Sequence, residues 1–315
     1  MPSASRFDCD LAVLTPVGPG AQEHARVVDL IDSLCHHEPN LKTLVLLIDD
    51  SLRPRHLAAA CRPSPLCTIH ELSNPRRGQG SGWAGGLATG VTHGMRWIAE
   101  QTRAPFVVRL DTDALVIGPF VGSVSAAFQR MPNVGMLGSY TRTCQRARRA
   151  PANHPIAKIQ EKLLRPFAIW KTRSPRRSLQ ISAIGRWRKI NQALSMAVAQ
   201  GYQLGDFVHG GAYAVRSSAI ESAMRLGLLD DPLAWVNTQM SEDVVVSILI
   251  SAAGYRFADL VDDGHPFAVQ AVGLPDDPQK LIDRGFAIIH SLKGDTRLCE
   301  SEIREFFAAK RNTEL

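Results

Sequence analysis

Long apolar runs are missing from this chain. The longest, such as Leu44–Ile48, fall far short of the roughly 20 residues that cross a bilayer. The first ten residues hold Asp8 and Asp10 and no apolar stretch, so they do not read as a secretory leader. Cysteine is sparse and scattered: Cys9, Cys35, Cys61, Cys67, Cys144 and Cys299. With no export signal these are expected to be reduced thiols in a cytoplasmic protein. His56, Cys61, Cys67 and His70 match no zinc spacing and read as packing residues. No Gly-Lys-Ser/Thr phosphate loop and no Gly-x-Ser-x-Gly elbow occurs. Acid is nearly absent from one stretch. Residues 141–190 carry 14 Lys/Arg against Glu161 alone, a net of +13, while the rest of the chain sums to −7.

What is present is an ordinary globular composition, 45% hydrophobic and 21% charged over 315 residues. Strand-like and helix-like stretches alternate through the first half. Leu11–Thr15, Leu41–Ile48, Leu66–His70 and Phe106–Leu110 read as strands. Val27, Leu30, Ile31 and Leu34 mark one helix face, and Trp83 to Thr102 reads as another helix. This alternation predicts an α/β fold with a mostly parallel central sheet flanked by helices. Ligands in such sheets sit off the carboxyl ends of the strands.

Acids collect at two of those ends. Asp49-Asp50 follows the second strand, and Asp111-Thr112-Asp113 follows the fourth. Two carboxylates in one crevice suit Mn²⁺ or Mg²⁺ with a diphosphate completing the shell; the alternative is an Asp-rich turn. A second copy of the pattern, Asp8-Cys9-Asp10, precedes the first strand and has no assigned role. Ser241-Glu242-Asp243 opens an apolar stretch that runs to Gly254. Ser241 suits an N-cap and Gly254 a C′ residue. Its acids either complement a helix dipole or supply a general base. Gly210-Gly211-Ala212-Tyr213 allows a close backbone approach or a bulge. Gly80 to Gly85 fits the dinucleotide spacing Gly-x-Gly-x-x-Gly but lacks the strand directly before it and the acid about 20 residues on. His290 ends an apolar run and reads as structural unless a metal lies nearby.

Taken in order, these motifs resemble an inverting glycosyltransferase of the GT-A fold, most like glycosyltransferase family 2. The resemblance runs from about Asp10 to Asp259, with a looser match at His290. It implies one catalytic domain over 1–315: a nucleotide-sugar and metal half to about 140, a basic helical insert over 141–200, and an acceptor-side half from about 201. It implies that Thr15, Pro16 and Asp49 or Asp50 hold the donor nucleoside, and that Arg76 or Arg77 reaches its phosphates. Asp111, Asp113 and His290 would hold the metal, Asp111 also contacting the nucleotide. Gly210, Gly211, Ala212 and Tyr213 would face the acceptor. Asp243, with Glu242 beside it, would be the base. The donor would be a UDP- or GDP-linked sugar and the acceptor a saccharide or lipid-linked hydroxyl. No Gln-x-x-Arg-Trp follows the Glu-Asp stretch, which implies a single sugar added per encounter.

The basic segment supports two readings. Ile156, Ile159, Leu163, Leu164, Phe167 and Trp170 share one helical face, and Ile184, Trp187, Ile190, Leu194 and Val198 share another. Such stripes suit docking on the inner face of an anionic membrane or packing on the core. The competing functional classes are a sugar nucleotidyltransferase, which lacks its Gly-rich signature here, and a nucleic-acid-binding protein. The second leaves the strand-end acids unexplained, so nucleic acid is not the expected partner.

Overall fold

The computed structural model describes residues 6–61, 64–149, 155–165 and 181–313, the side chains of 181–184 excepted. Its strands are β1 (Leu11–Val17), β2 (Thr43–Asp49), β3 (Cys67–Ser73), β4 (Phe106–Leu110), β5 (Leu115–Val116), β6 (Val134–Gly138), β7 (Ala212–Arg216), β8 (Arg256–Asp259), β9 (Phe267–Val269) and β10 (Ile288–His290). Its α-helices are α1 (Glu23–His37), α2 (Leu87–Gln101), α3 (Val121–Arg130), α4 (Pro155–Leu164), α5 (Ile181–Ala199), α6 (Ser217–Arg225), α7 (Glu242–Ala252), α8 (Pro278–Asp283) and α9 (Glu300–Thr313).

The uninterrupted apolar runs become the middle of a seven-stranded sheet, ordered β3-β2-β1-β4-β7-β6-β8. Every residue of β1, β2 and β4 is buried, as a strand covered on both faces requires. β3, β2, β1 and β4 run parallel, with Leu11 opposite Thr43 and Val13 opposite Val108. β7 alone runs against its neighbours β4 and β6. The carboxyl ends of β1, β2 and β4 therefore open on one edge, where Pro16, Asp50 and Asp111 emerge. A smaller sheet, β5-β10-β9, lies across that edge. Helices cover both faces. The stripe Val27, Leu30, Ile31 and Leu34 of α1 joins one core with α3 and α9. α2, α5, α6 and α7 fill the other.

Several expected boundaries shift. The third strand starts one residue later and runs on to Ser73. The helix expected from Trp83 begins instead as a π-turn over Gly82–Gly86, and regular helix starts at Leu87. Ala84 inside that turn has non-helical torsions, φ −99° and ψ −108°. The glycines explain the turn: a Cβ on Gly85 would lie 2.1 Å from the Trp235 carbonyl oxygen, and one on Gly80 would lie 2.2 Å from that of Val236. The turn is pressed onto the 3-10 helix Pro232–Trp235, closer than a side chain allows. Ser241 holds the N-cap position with extended torsions but does not cap. Its hydroxyl donates to the Asp243 carboxylate instead. Gly254 takes the left-handed conformation after α7, φ +89°.

The basic insert uses most of the described positions of its apolar stripes for packing. Ile156, Ile190, Ala193 and Leu194 are buried in the core that contains α7, and Ile159, Leu163 and Leu164 pack against it. Val198 is exposed. Phe167 and Trp170 lie outside the described residues, as does the side chain of Ile184. No described helix is long and apolar enough to cross a membrane. All six cysteines are free thiols.

The glycine contacts separate two outcomes. Gly85→Ala overpacks the turn against backbone and is expected to cost about 1–3 kcal/mol. Gly122→Ala, in α3 with nothing within 4 Å of the new methyl, is expected to stabilise by about 0.5 kcal/mol. Urea unfolding of the two variants against wild type checks both signs.

Candidate active site at the strand ends

The site begins with the turn after β4. The Asp111 amide donates to the Gly211 carbonyl at 2.8 Å, and the Ala114 amide closes the turn on the Asp111 carbonyl at 3.0 Å. This puts the Asp111 and Asp113 side chains on the same side as His290, the last residue of β10. Oxygen and nitrogen atoms of the three lie within 4.8 Å of one another, forming the only group of metal-ligand type among the described residues. His290 Nε2 is 3.3 Å from Asp111 Oδ2 and 3.6 Å from Asp113 Oδ1. Its Nδ1 lies 3.0 Å from the Gln270 carbonyl oxygen. A carbonyl only accepts, so Nδ1 carries the proton and Nε2 is the atom presented to the carboxylates. Two carboxylates and one imidazole, oriented this way, fit a divalent cation such as Mn²⁺ or Mg²⁺.

Charge in the cluster follows from this geometry. Burial opposes a charged His290, but hydrogen bonds to Asp111 and Asp113 outweigh it and raise its pKa to about 9. Burial likewise opposes a charged Asp113, yet His290, Lys293 and the Ser291 hydroxyl hold it well below the usual carboxylate range. Ser291 Oγ donates to Asp113 Oδ2 at 2.6 Å, and the Leu292 amide donates to the Asp113 carbonyl at 3.0 Å. The loop after β10 is thereby tied to the turn after β4.

The glycine pair makes this arrangement possible. Gly211 has φ +94°, and a Cβ there would sit 2.1 Å from His290 Nδ1. Gly210 donates its amide to Asp243 Oδ2 at 2.8 Å. A Cβ on it would come 3.1 Å from both that oxygen and Glu242 Oε1. Ala212 and Tyr213, expected to face an acceptor, have side chains with no exposed surface. Tyr213 lies beneath the Arg109 guanidinium, 5.7 Å from it.

Arg109 went unnoticed in the sequence. It sits inside β4 with 0% exposure, donates to Asp111 Oδ1 at 2.7 Å and lies 3.0 Å from Glu242 Oε1. One cation cannot fully neutralise two acids, the half-buried Asp111 and the buried Glu242. Asp111 holds the hydrogen bond, while burial, opposed by Arg109 and reinforced by the charges of Asp243 and Asp111, pushes Glu242 up to about 8. A cation within an otherwise apolar buried strand was the available signal for a buried acidic partner.

A cleft of about 630 Å³ opens over the cluster, a size usual for a small-molecule site. Pro16, Asp50, Arg76, Asp111, Asp113 and His290 all line it. Thr15 is buried in β1 and Asp49 points elsewhere, paired with Arg55 at 2.6 Å. Arg76 reaches the cleft, but its guanidinium is committed to Asp50 through bonds of 2.6 and 2.5 Å. Arg77 is exposed and lies outside the cleft lining. The lining cation that sequence reasoning missed is Lys293, 3.4 Å from Asp113 and part-exposed. Its position three residues after His290 was the only sequence signal.

No family model matches the chain, and no curated protein matches it. Solved structures do resemble it. An active-site mutant of LgtC is similar over 95% of this chain and 96% of its own, at 10% identity and a TM-score of 0.49. LgtC galactosyltransferase in complex with donor and acceptor sugar analogs is similar over 96% of each chain, at 10% identity and a TM-score of 0.46. The mannosyltransferase PcManGT from Pyrobaculum calidifontis, in complex with GDP-Man and Mn²⁺, is similar over 90% of this chain and 63% of its own, at 16% identity and a TM-score of 0.41. At these values the residue roles below rest on this chain's own geometry.

Glu242 makes stability pH-dependent in a defined sense. Its folded pKa of about 8 lies above the ordinary 4.5, so its contribution is complete below that ordinary value and is lost progressively as pH rises towards the folded value. Glu242→Gln removes the loss. Its stability relative to wild type, from urea unfolding, is expected to be higher at about pH 8 than at about pH 5. An equal difference at both pH values contradicts a protonated Glu242.

Proposed function

We propose that the protein is a nucleotide-sugar-dependent glycosyltransferase, binding the donor diphosphate at the Asp111–Asp113–His290 cluster. The observation that carries the reading is that cluster itself: two carboxylates and one oriented imidazole in a 630 Å³ cleft, with Lys293 alongside. When bound there, a divalent cation supplies Lewis-acid stabilisation of the departing diphosphate. Lys293 adds positive charge at the same end of the cleft and screens the phosphates from Asp113. Ser291 and the loop after β10 hold Asp113 in place.

The second half of the reaction needs a group that takes the proton of an acceptor hydroxyl. In this reading it is Asp243, at the start of α7, a buried carboxylate outside the cleft lining whose Oδ2 accepts the Gly210 amide, next to the Gly211 that abuts His290. Its neighbour Glu242 is turned to the buried Arg109, 3.0 Å away, and away from the acceptor side. With Asp243 on the acceptor side the reaction inverts the anomeric centre. The donor is a UDP- or GDP-linked sugar, and the acceptor a saccharide or lipid-linked hydroxyl. The basic insert adds little support for membrane docking, because most of its described apolar positions, Ile156, Ile159, Leu163, Leu164, Ile190 and Leu194, pack on the core.

Thermal unfolding with a nucleotide panel tests the donor half. UDP or GDP is expected to raise the melting temperature only with Mn²⁺ or Mg²⁺ present, by the equivalent of about 2.7 kcal/mol at a hundredfold excess over Kd. Asp113→Ala is expected to lose that metal-dependent shift. Asp243→Asn is expected to keep it and to lower sugar transfer at least about 100-fold. Wild-type turnover by Asp243→Asn removes the base assignment, and a nucleotide shift that ignores metal removes the cluster's role.

A further inference from the structure

Trp83 has the second-highest exposure among the large apolar side chains described, 78% of its surface, and it lines the cleft. An isolated exposed tryptophan signifies little. This one differs in how it is held and where it stands.

Its support is rigid. Gly80 and Gly85 press the turn against the Val236 and Trp235 carbonyls, and the Gly86 amide closes it on the Ser81 carbonyl at 2.9 Å. The indole therefore projects from a fixed backbone and covers little of the protein, which is how a ligand platform is built.

Its place follows from the sheet. Gly82, directly before it, abuts the Arg76–Asp50 pair, whose atoms would lie 3.1 and 3.7 Å from an added Cβ. Asp50 follows β2 and Asp111 follows β4, with β1 between them. Two strand spacings separate these ends, about 10 Å. A nucleotide with its diphosphate at Asp111, Asp113 and Lys293 extends its ribose and base along the cleft towards Asp50, Arg76 and Trp83. At that end the described polar groups are engaged with one another: Asn74 donates to Asp50 and to the Gly86 carbonyl, and Arg76 to Asp50. The open recognition surface is the indole.

We infer that Trp83 is the platform on which the donor nucleobase stacks. This rests on the nucleotide-sugar reading above and adds to it the residue and the mode of base recognition. Stacking uses a π-face that every base has, so Trp83 contributes affinity with little choice among bases.

Calorimetric titration of the full chain with Mn²⁺ present tests the inference, using UDP, GDP and inorganic pyrophosphate as probes. Trp83→Ala is expected to weaken both nucleotides about 5- to 150-fold, the fold-change equal to about 1–3 kcal/mol per stacked base. Pyrophosphate, which has no base, is expected to bind Trp83→Ala as it binds wild type. Trp83→Phe keeps a ring and is expected to stay within about fivefold of wild type. Nucleotide affinity unchanged in Trp83→Ala overturns the stacking and leaves the nucleotide reading intact. So does an equal loss for pyrophosphate. Failure of wild type to bind any of the three probes overturns both readings.

Discussion

The buried guanidinium of Arg109 is the contact on which the site depends. It is enclosed within β4 and meets carboxylates from two different elements: Asp111 of the turn after β4 and Glu242 of α7. Desolvating such a group is costly, and the cost is recovered only if the partners are well placed. Arg109 Nε and Nη1 have no hydrogen-bond partner, so the charge compensation comes from Asp111, with Glu242 Oε1 held 3.0 Å away. The turn after β4 and the first turn of α7 are therefore fixed relative to each other. Everything proposed for the cleft inherits that constraint, because Asp111 is one of the three cluster residues and Asp243 follows Glu242 directly.

Glycines supply the second constraint, as space rather than as flexibility. Gly211 leaves room for the His290 ring, Gly210 lets its amide reach Asp243, and Gly82 lets the turn before α2 lie on the Arg76–Asp50 pair. In each case the close neighbour is a side chain of the proposed site. The same turn is pressed onto the Trp235–Val236 backbone, and that contact keeps a glycine-rich segment from being a loose loop.

The central sheet was legible because β1, β2 and β4 are continuous apolar runs, a pattern that burial on both faces imposes. The carboxylates at their ends were legible for the same reason, since a strand end locates them in space. The small sheet was not. β5, β9 and β10 have two or three residues each, too few for any periodicity to show. Its absence from the sequence reading is why Lys293 was missed and why only the resemblance, not the residue pattern, placed His290 with the two aspartates. The choice between Asp49 and Asp50 was equally closed to sequence. It depends on Arg55, six residues on, which folds back to take Asp49. The glycine pair was found, but not the side chains packed against it, His290 and Asp243. Periodicity locates an unusual backbone without showing which side chain will lie against it.

The protein's uneven charge gains a physical sense from these contacts. The acidic body concentrates Asp111, Asp113, Glu242 and Asp243 around one strand end, and each is matched there by Arg109, His290, Lys293 or a backbone amide. His290, with its pKa raised to about 9, holds a proton at neutral pH in the space between the two aspartates. That proton and a divalent cation compete for the same carboxylate oxygens. In the proposed reading, the charge that holds the cluster together is the one a metal would replace. Arg109 cannot be exchanged in this way, since its pKa lies far above the physiological range and its side chain is sealed in the core. The site therefore pairs one permanent cation, which positions the frame, with one removable proton at the position where the proposed metal would bind.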